Sequence, residues 1–259
     1  MIVGYIGFSI TMLRYMISYK NFEVKCCFCE NNRHTDELQQ LCKENNIEYL
    51  KIENENDLLN NIKKKGIVNY IMYECGMIIP EKVIECVNIY NFHPGSLENN
   101  RGRTPIINSI LRGDSYTKMS VYQIGVAIDS GREIASSIIK IEQEDDSRDV
   151  KEKLENTIPE LLEQLDVYLS IGKYQDIGGI YCPKIQQGDY TINLKEDTLE
   201  KVSRKIRSQA LYKGAVLQGQ FIEQMAVDEY RWELVKDEEG ELQYKVIAEV
   251  TLKKSKGTM

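Results

Sequence analysis

The chain is 259 residues long, 42% apolar and 28% charged, with a formal net charge of −7. This is the composition of a soluble globular protein with room for one α/β domain and a small appendage. The acidic balance excludes a protein built to hold a long polyanion, and no run of eighteen apolar residues offers a membrane span.

The opening Met1-Ile2-Val3-Gly4-Tyr5-Ile6-Gly7 lacks a basic leader and reads as a first strand rather than a signal peptide. Gly4 and Gly7 read as a tight turn. A dinucleotide fingerprint would need a third glycine and an acid at the end of a second strand. A helix over 11–19 and a strand over 22–29 follow. Cys26, Cys27 and Cys29 crowd that strand, three of seven cysteines. Without paired metal-ligand spacing they read as buried thiols in a reduced cytosol, and no metal is expected. Thr35 precedes an acidic first turn, Asp36 and Glu37, of a helix with Leu38, Leu41 and Cys42 as its apolar stripe. A strand over 47–52, a helix over 57–65 and a buried strand over 67–73 continue the alternation, which predicts a parallel sheet covered by helices.

An apolar run over 87–90 predicts another strand. Pro105 suits the first position of a helix over 104–112. A strand from Met119 to about Gly125, a turn at Asp129-Ser130-Gly131 and a strand through Ile139 come next. Residues 147–171 read as one long helix opened by Ser147, with Pro159 as a place for a kink. Gly172 and the Gly178, Gly179 pair place a boundary near 175, dividing a unit of 1–174 from a smaller one of 175–259. In the second unit 181–184 and 189–194 read as extended, 198–210 as helix, and 229–235 and 243–252 as strands around a polar turn at 237–240.

Two histidines are present, His34 and His93. His93 falls where a strand must end, because Pro94 and Gly95 cannot continue it. In open α/β sheets ligands bind at that edge. Asn91, two residues earlier, points to the same side of an extended chain. An amide donor beside an imidazole base suits acyl transfer, one steadying an oxyanion and the other taking a proton.

Asn91, His93, Pro94, Gly95, Leu97, Arg101 and Gly102, followed by Asp129, Gly131 and Ile134, resemble the signature of the 10-formyltetrahydrofolate-dependent formyltransferase family. Residues 73–80 look like that family's folate-side loop. The resemblance covers residues 1–215, with Glu98 standing where the family usually has proline. It implies a Rossmann-like α/β fold, a mostly parallel sheet with helices on both faces, carrying a catalytic domain over 1–174 and a small α+β C-terminal subdomain over 175–259. It implies that Asn91 steadies the oxyanion, His93 is the base and Asp129 orients the imidazole, without a metal. It implies 10-formyltetrahydrofolate as co-substrate against Met77, Ile78, Ile79 and Asp129. The acceptor is then expected on the opposite side, near Ser9, Thr11, Arg101, Arg103 and Thr104. Arg103, Lys184, Arg204 and Arg207 are ordinary solvated cations unless one or two meet a diphosphate. Tyr181, Tyr190 and Tyr212 are core residues unless they stack on a base.

The short acidic tail resembles that of nucleotide-linked amino-sugar N-formyltransferases. The expected partners are therefore small molecules, folate and a nucleotide-amino sugar, with no nucleic acid and no membrane, in a cytoplasmic setting linked to cell-surface polysaccharide synthesis. Another amine stays open as acceptor: a peptide-synthesis intermediate, glycinamide ribonucleotide or Met-tRNA. So do a folate-binding regulator without catalysis and a homodimeric assembly.

Overall fold

A computed structural model describes residues 1–33, 35–171, 175–176, 180–236 and 242–254. His34, Gly172, the Gly178, Gly179 pair and the polar turn at 237–240 lie outside the described residues. The first half alternates as its apolar runs predict: β1 (Ile2–Gly7), α1 (Ile10–Ser18), β2 (Glu23–Glu30), α2 (Asp36–Glu44), β3 (Glu48–Ile52), α3 (Glu55–Lys65), β4 (Asn69–Tyr73), the single-turn α4 (Glu81–Ile84) and β5 (Asn88–His93). α5 (Pro105–Arg112) then leads into β6 (Tyr116–Ile124) and β7 (Gly131–Lys140). Side-chain caps set several helix starts: Ser9 accepts from the Met12 N–H and Asn54 from the Asp57 N–H.

One eight-stranded sheet runs β3-β2-β1-β4-β5-β6-β7-β8, where β8 is the short Gln175–Asp176 segment. The first five strands pair in parallel and the last three are antiparallel. Two apolar layers cover the sheet. Tyr90 and Phe92 of β5 point into one, with Met12, Leu38 and Leu161 from helices on that face. Ile89 points into the other, with Leu58 of α3 and Val83 of α4. Asn91 and His93 share the Ile89 side by the two-residue period of the strand. Helices on both faces of a mostly parallel sheet agree with the expected fold class. β2 does end on an acid, Glu30, contrary to the expectation from sequence, but its carboxylate binds the Gly76 N–H and Arg33.

The long helix over 147–171 is two helices, α6 (Ser147–Glu155) and α7 (Ile158–Ile171). Pro159 lies at the second residue of α7, where its missing N–H costs nothing, whereas within one continuous helix it would break the bond to Glu155. The cap of α6 is Asp146, not Ser147; Asp146 and Asp149 form a reciprocal capping box. The Ser147 hydroxyl instead accepts from the Leu211 N–H, tying the tail to the main layer.

The tail has its own apolar cluster, Ile192, Val202, Ile206, Ala215 and Ile222. Its helix α8 (Leu199–Ser208) matches expectation, while β9 (Ala215–Leu217) was not foreseen. The two final strands are longer than expected, β10 (Gln220–Lys236) and β11 (Leu242–Lys254), paired antiparallel. Residues 187–190 form a turn of 3₁₀ helix closed by Gln186 and Asp189, so the segment expected to be extended over 189–194 starts inside that turn. No described helix is long and apolar enough to cross a membrane.

Candidate active site

A cavity of about 690 Å³ opens at the C-terminal ends of β1, β4 and β5. The strand order reverses between β1 and β4, and such a switch point leaves a crevice outside the strand ends. Asn91 and His93 line this cavity and are buried, 9% and 4% exposed. Asp129 reaches it from the β6–β7 turn.

Asp129 stands in the left-handed backbone region, φ 48°, which Asp tolerates better than most residues. Its carboxylate is not spent on its own turn. One oxygen accepts from the Tyr122 hydroxyl at 2.7 Å and the other from the Gly102 N–H at 2.6 Å. The second oxygen also lies 3.8 Å from His93 Nδ1. Gly102 offers that N–H from a φ of +117°, a conformation glycine adopts freely. Gly95 allows a close approach as well, since a Cβ there would fall 2.9 Å from His93 Nε2.

His93 Nε2 lies 2.9 Å from the Asn100 carbonyl oxygen. A carbonyl only accepts, so Nε2 carries the proton in the neutral ring and the lone pair is on Nδ1. The tautomer is therefore set by Asn100 rather than by Asp129. Asn100 is held in turn, its amide donating to the Pro105 carbonyl at 2.8 Å and the Ser109 hydroxyl at 2.9 Å. Nδ1 can take a proton, and the resulting imidazolium would face Asp129.

Asn91 and Tyr122 are opposed residues of the β5–β6 ladder, and the Asn91 amide donates to the Tyr122 hydroxyl at 2.9 Å. Burial first, and the Asp129 charge second, push the Tyr122 phenol well above its ordinary pKa, so it stays protonated. Tyr122 and Asn100 were missed in the sequence. A tyrosine in an apolar strand looks like core, and Asn100 acts through its main chain. Pairing the strand of Asn91 with that of Tyr122 would have revealed the first.

Met77, Ile78, Ile79, Val126 and Ile128 line the cavity with apolar side chains. Ile78, Val126 and Ile128 are among the exposed large apolar side chains. Exposed apolar side chains in the cavity lining suit a flat, largely apolar ligand. Cys75 also lines the cavity, but burial pushes its thiol up to about 12, which removes it as a thiolate nucleophile.

Phe8, Glu74, Lys151, Arg103, Thr104, Lys184 and Tyr212 also line the cavity. Glu74, at φ 52°, accepts from Lys151 Nζ at 2.6 Å. Burial opposes the Lys151 charge, but Glu74 and Glu155 outweigh it and raise the ammonium pKa. Arg103 and Lys184 form no ion pair among the described residues. A parallel bridge between Arg101 and Tyr181 lays the two segments side by side.

Arg103 and Thr104 thus line the cavity, whereas Ser9, Thr11 and Arg101 do not. The Ser9 hydroxyl is used as the α1 cap and Thr11 lies within that helix. Arg101 Nε donates to the Leu97 carbonyl and braces its own loop. Arg204 hydrogen-bonds the Arg112 carbonyl and Arg207 the Asp145 carbonyl, both away from the cavity. Of the three tyrosines considered as stacking platforms, only Tyr212 lines it.

The formyl transferase family model matches residues 23–165, more than half of the chain. A methionyl-tRNA formyltransferase from Ehrlichia ruminantium is 32% identical over 146 residues, covering 53% of this chain and 45% of the relative. The chain thus spans less than half of that relative's length. Two solved structures share the fold over nearly the whole chain. A 4-N formyltransferase from Francisella tularensis has a TM-score of 0.69 at 20% identity, covering 94% of this chain and 96% of its own. A sugar N-formyltransferase from a Shewanella species has a TM-score of 0.68 at 18% identity, covering 96% and 97%. With the family match spanning β2 to α7 and the site residues at its sheet edge, this chain belongs to the formyl transferase family.

Proposed function

We propose that the protein moves a formyl group from 10-formyltetrahydrofolate to the amine of a nucleotide-linked amino sugar. The observation that carries this reading is the convergence of Asn91, His93 and Asp129 in one cavity lined by both apolar and cationic side chains. The apolar side chains of Met77, Ile78, Ile79 and Ile128 in the lining suit the folate ring system. Arg103 and Lys184 of the same lining are available to a diphosphate and Tyr212 to a base. Two of these three come from residues 175–259, so the C-terminal unit completes the acceptor side of a catalytic unit over 1–174. The full-length match to a sugar N-formyltransferase supports the same acceptor class.

In this reading the neutral amine nitrogen attacks the formyl carbon and the carbonyl electron pair moves onto oxygen. Asn91 donates an N–H to that oxyanion, a contact of about 3 kcal/mol in comparable sites. His93 Nδ1 takes the proton the nitrogen must lose, and Asp129 stabilises the imidazolium. Collapse breaks the bond to the folate nitrogen, which leaves as the amine of tetrahydrofolate after accepting a proton. The products are the N-formyl sugar and tetrahydrofolate.

The relatives that are methionyl-tRNA formyltransferases favour a second acceptor, the amine of Met-tRNA. The experiment is to mix the enzyme with 10-formyltetrahydrofolate and a panel of amino-sugar nucleotides, Met-tRNA, glycinamide ribonucleotide and carrier-bound amino acids, and to follow product mass. A formylated sugar nucleotide supports the proposal. Formylation confined to another amine overturns the sugar assignment, and no product from any acceptor overturns the transferase reading.

A further inference from the structure

We infer that Tyr122 is a positioning residue that locks the Asn91 amide in the orientation needed to receive the oxyanion, by hanging it from Asp129. The inference rests on the formyl-transfer reading of the site.

Three facts fix the direction of the chain. The Asp129 carboxylate accepts only, so the hydroxyl 2.7 Å away donates its single proton to it. That leaves the Tyr122 oxygen lone pairs as the partner of Asn91 Nδ2 at 2.9 Å. The amide is thereby held with its nitrogen, not its oxygen, toward Tyr122. One N–H is used there, and the second N–H on the same nitrogen is left for a ligand in the cavity. An amide turned by half a revolution would offer Oδ1 instead, which repels an oxyanion.

The geometry follows from the strand pairing. Asn91 and Tyr122 face each other across the antiparallel β5–β6 ladder, so their side chains rise side by side. Tyr122 is 1% exposed and its ring is packed, which leaves the hydroxyl little freedom. The other Asp129 oxygen faces His93 Nδ1 at 3.8 Å. One carboxylate therefore orients the oxyanion donor through Tyr122 and faces the base directly. Neutral hydrogen bonds in series with an ionised group are strengthened by it, so the amide is held more firmly than a tyrosine alone would hold it.

The test is a double-mutant cycle of Tyr122→Phe and Asn91→Ala, measuring kcat and KM for both substrates with the acceptor found in the panel above. Y122F keeps the ring and removes the hydroxyl. It should lower kcat about tenfold and leave both KM values within twofold. In the Asn91→Ala background it should have less than a twofold further effect, because the group it orients is already gone. A full tenfold loss in both backgrounds, or unchanged kcat in the single variant, would overturn the inference. Should Y122F not fold, Tyr122→His carries the same cycle. An imidazole offers one donor and one acceptor, so it should retain more turnover than an apolar ring, and its residual loss should vanish in the Asn91→Ala background.

A readout free of turnover separates this inference from the function it rests on. In an NMR spectrum the Asn91 side-chain amide, assigned by its loss in Asn91→Ala, should show one proton protected from exchange. Y122F (or Y122H, if Y122F does not fold) should change that proton's shift and, for Y122F, remove the protection. An enzyme silent toward every amine would defeat the transferase reading and leave this measurement standing. A wild-type amide without a protected proton would defeat the Tyr122 assignment alone.

Discussion

His93 presents Nδ1 to the cavity because the Asn100 carbonyl accepts the proton of the other ring nitrogen at 2.9 Å. No other described imidazole exists, and the Cys75 thiol is held protonated by burial, so His93 is the imidazole the described residues offer as a base. Replacing His93 with Ala or Asn is therefore expected to abolish turnover while folate affinity stays within a few-fold, read by single-turnover assay and by folate titration. More than a tenth of wild-type activity in His93→Ala would mean the proton goes elsewhere. Asn91→Ala is expected to cost roughly two to three orders of magnitude in turnover, as for loss of an oxyanion donor. Its side chain belongs to neither apolar layer, so thermal stability should change little; a variant with intact turnover and lost solubility would make Asn91 structural. The motif made Asn91, His93 and Asp129 legible because each meets the cavity or its neighbours through its own side chain. Asn100 acts through a carbonyl that any residue possesses, and Tyr122 acts through a cross-strand neighbour 31 positions away. Neither relation leaves a trace in local spacing. Ser9 was misread for the converse reason: a hydroxyl beside a strand end serves a helix cap as readily as a ligand.

At the scale of elements the buried strands were readable from their apolar runs, since β1, β2, β4 and β5 lie within the sheet. Element ends were less readable where capping decides them. Ser147 looked like a helix cap, but Asp146 has the carboxylate that binds the Arg148 and Asp149 N–H groups. Asp146→Ala is expected to destabilise the protein by about 1 kcal/mol, measured by urea unfolding, while Ser147→Ala should instead loosen the attachment of Leu211. Equal effects of both, or a stabilising Asp146→Ala, would contradict the capping box. The tail carries an acid-sensitive staple of its own. Burial opposes the charge of Asp197, but Lys201, Lys205 and the Asn193 N–H outweigh it and hold the carboxyl at about 2. A carboxyl lowered on folding stabilises above its unfolded pKa of about 3.9 and loses that contribution as pH falls through the folded value. The stability advantage of wild type over Asp197→Asn should thus be constant from neutrality down to about pH 5 and should shrink between about pH 4 and 2. An advantage that grew on acidification in denaturant titrations would reverse the sign and refute the staple.

The whole molecule bears on which amine is formylated. Arg33 and Lys151 on the cavity wall are paired with Glu30 and Glu74, and only Arg103 and Lys184 of the wall's cations form no ion pair among the described residues. Two such cations suit one diphosphate. A long polyanion needs many more, because each neutralised phosphate adds roughly one unit to the salt dependence of binding. The net charge of −7 works against gathering them. The protein is therefore expected to show no tRNA retardation in a gel at micromolar concentration and physiological salt, while a nucleoside diphosphate raises its melting temperature. Lys184→Ala and Arg103→Ala should each reduce that thermal shift without altering the response to folate, since each removes a cation and leaves the apolar side chains of the lining in place. A salt-sensitive tRNA shift, together with no response to any nucleoside diphosphate, would move the acceptor from a sugar nucleotide to the aminoacyl end of tRNA and leave Asn91, His93 and Asp129 in the same roles.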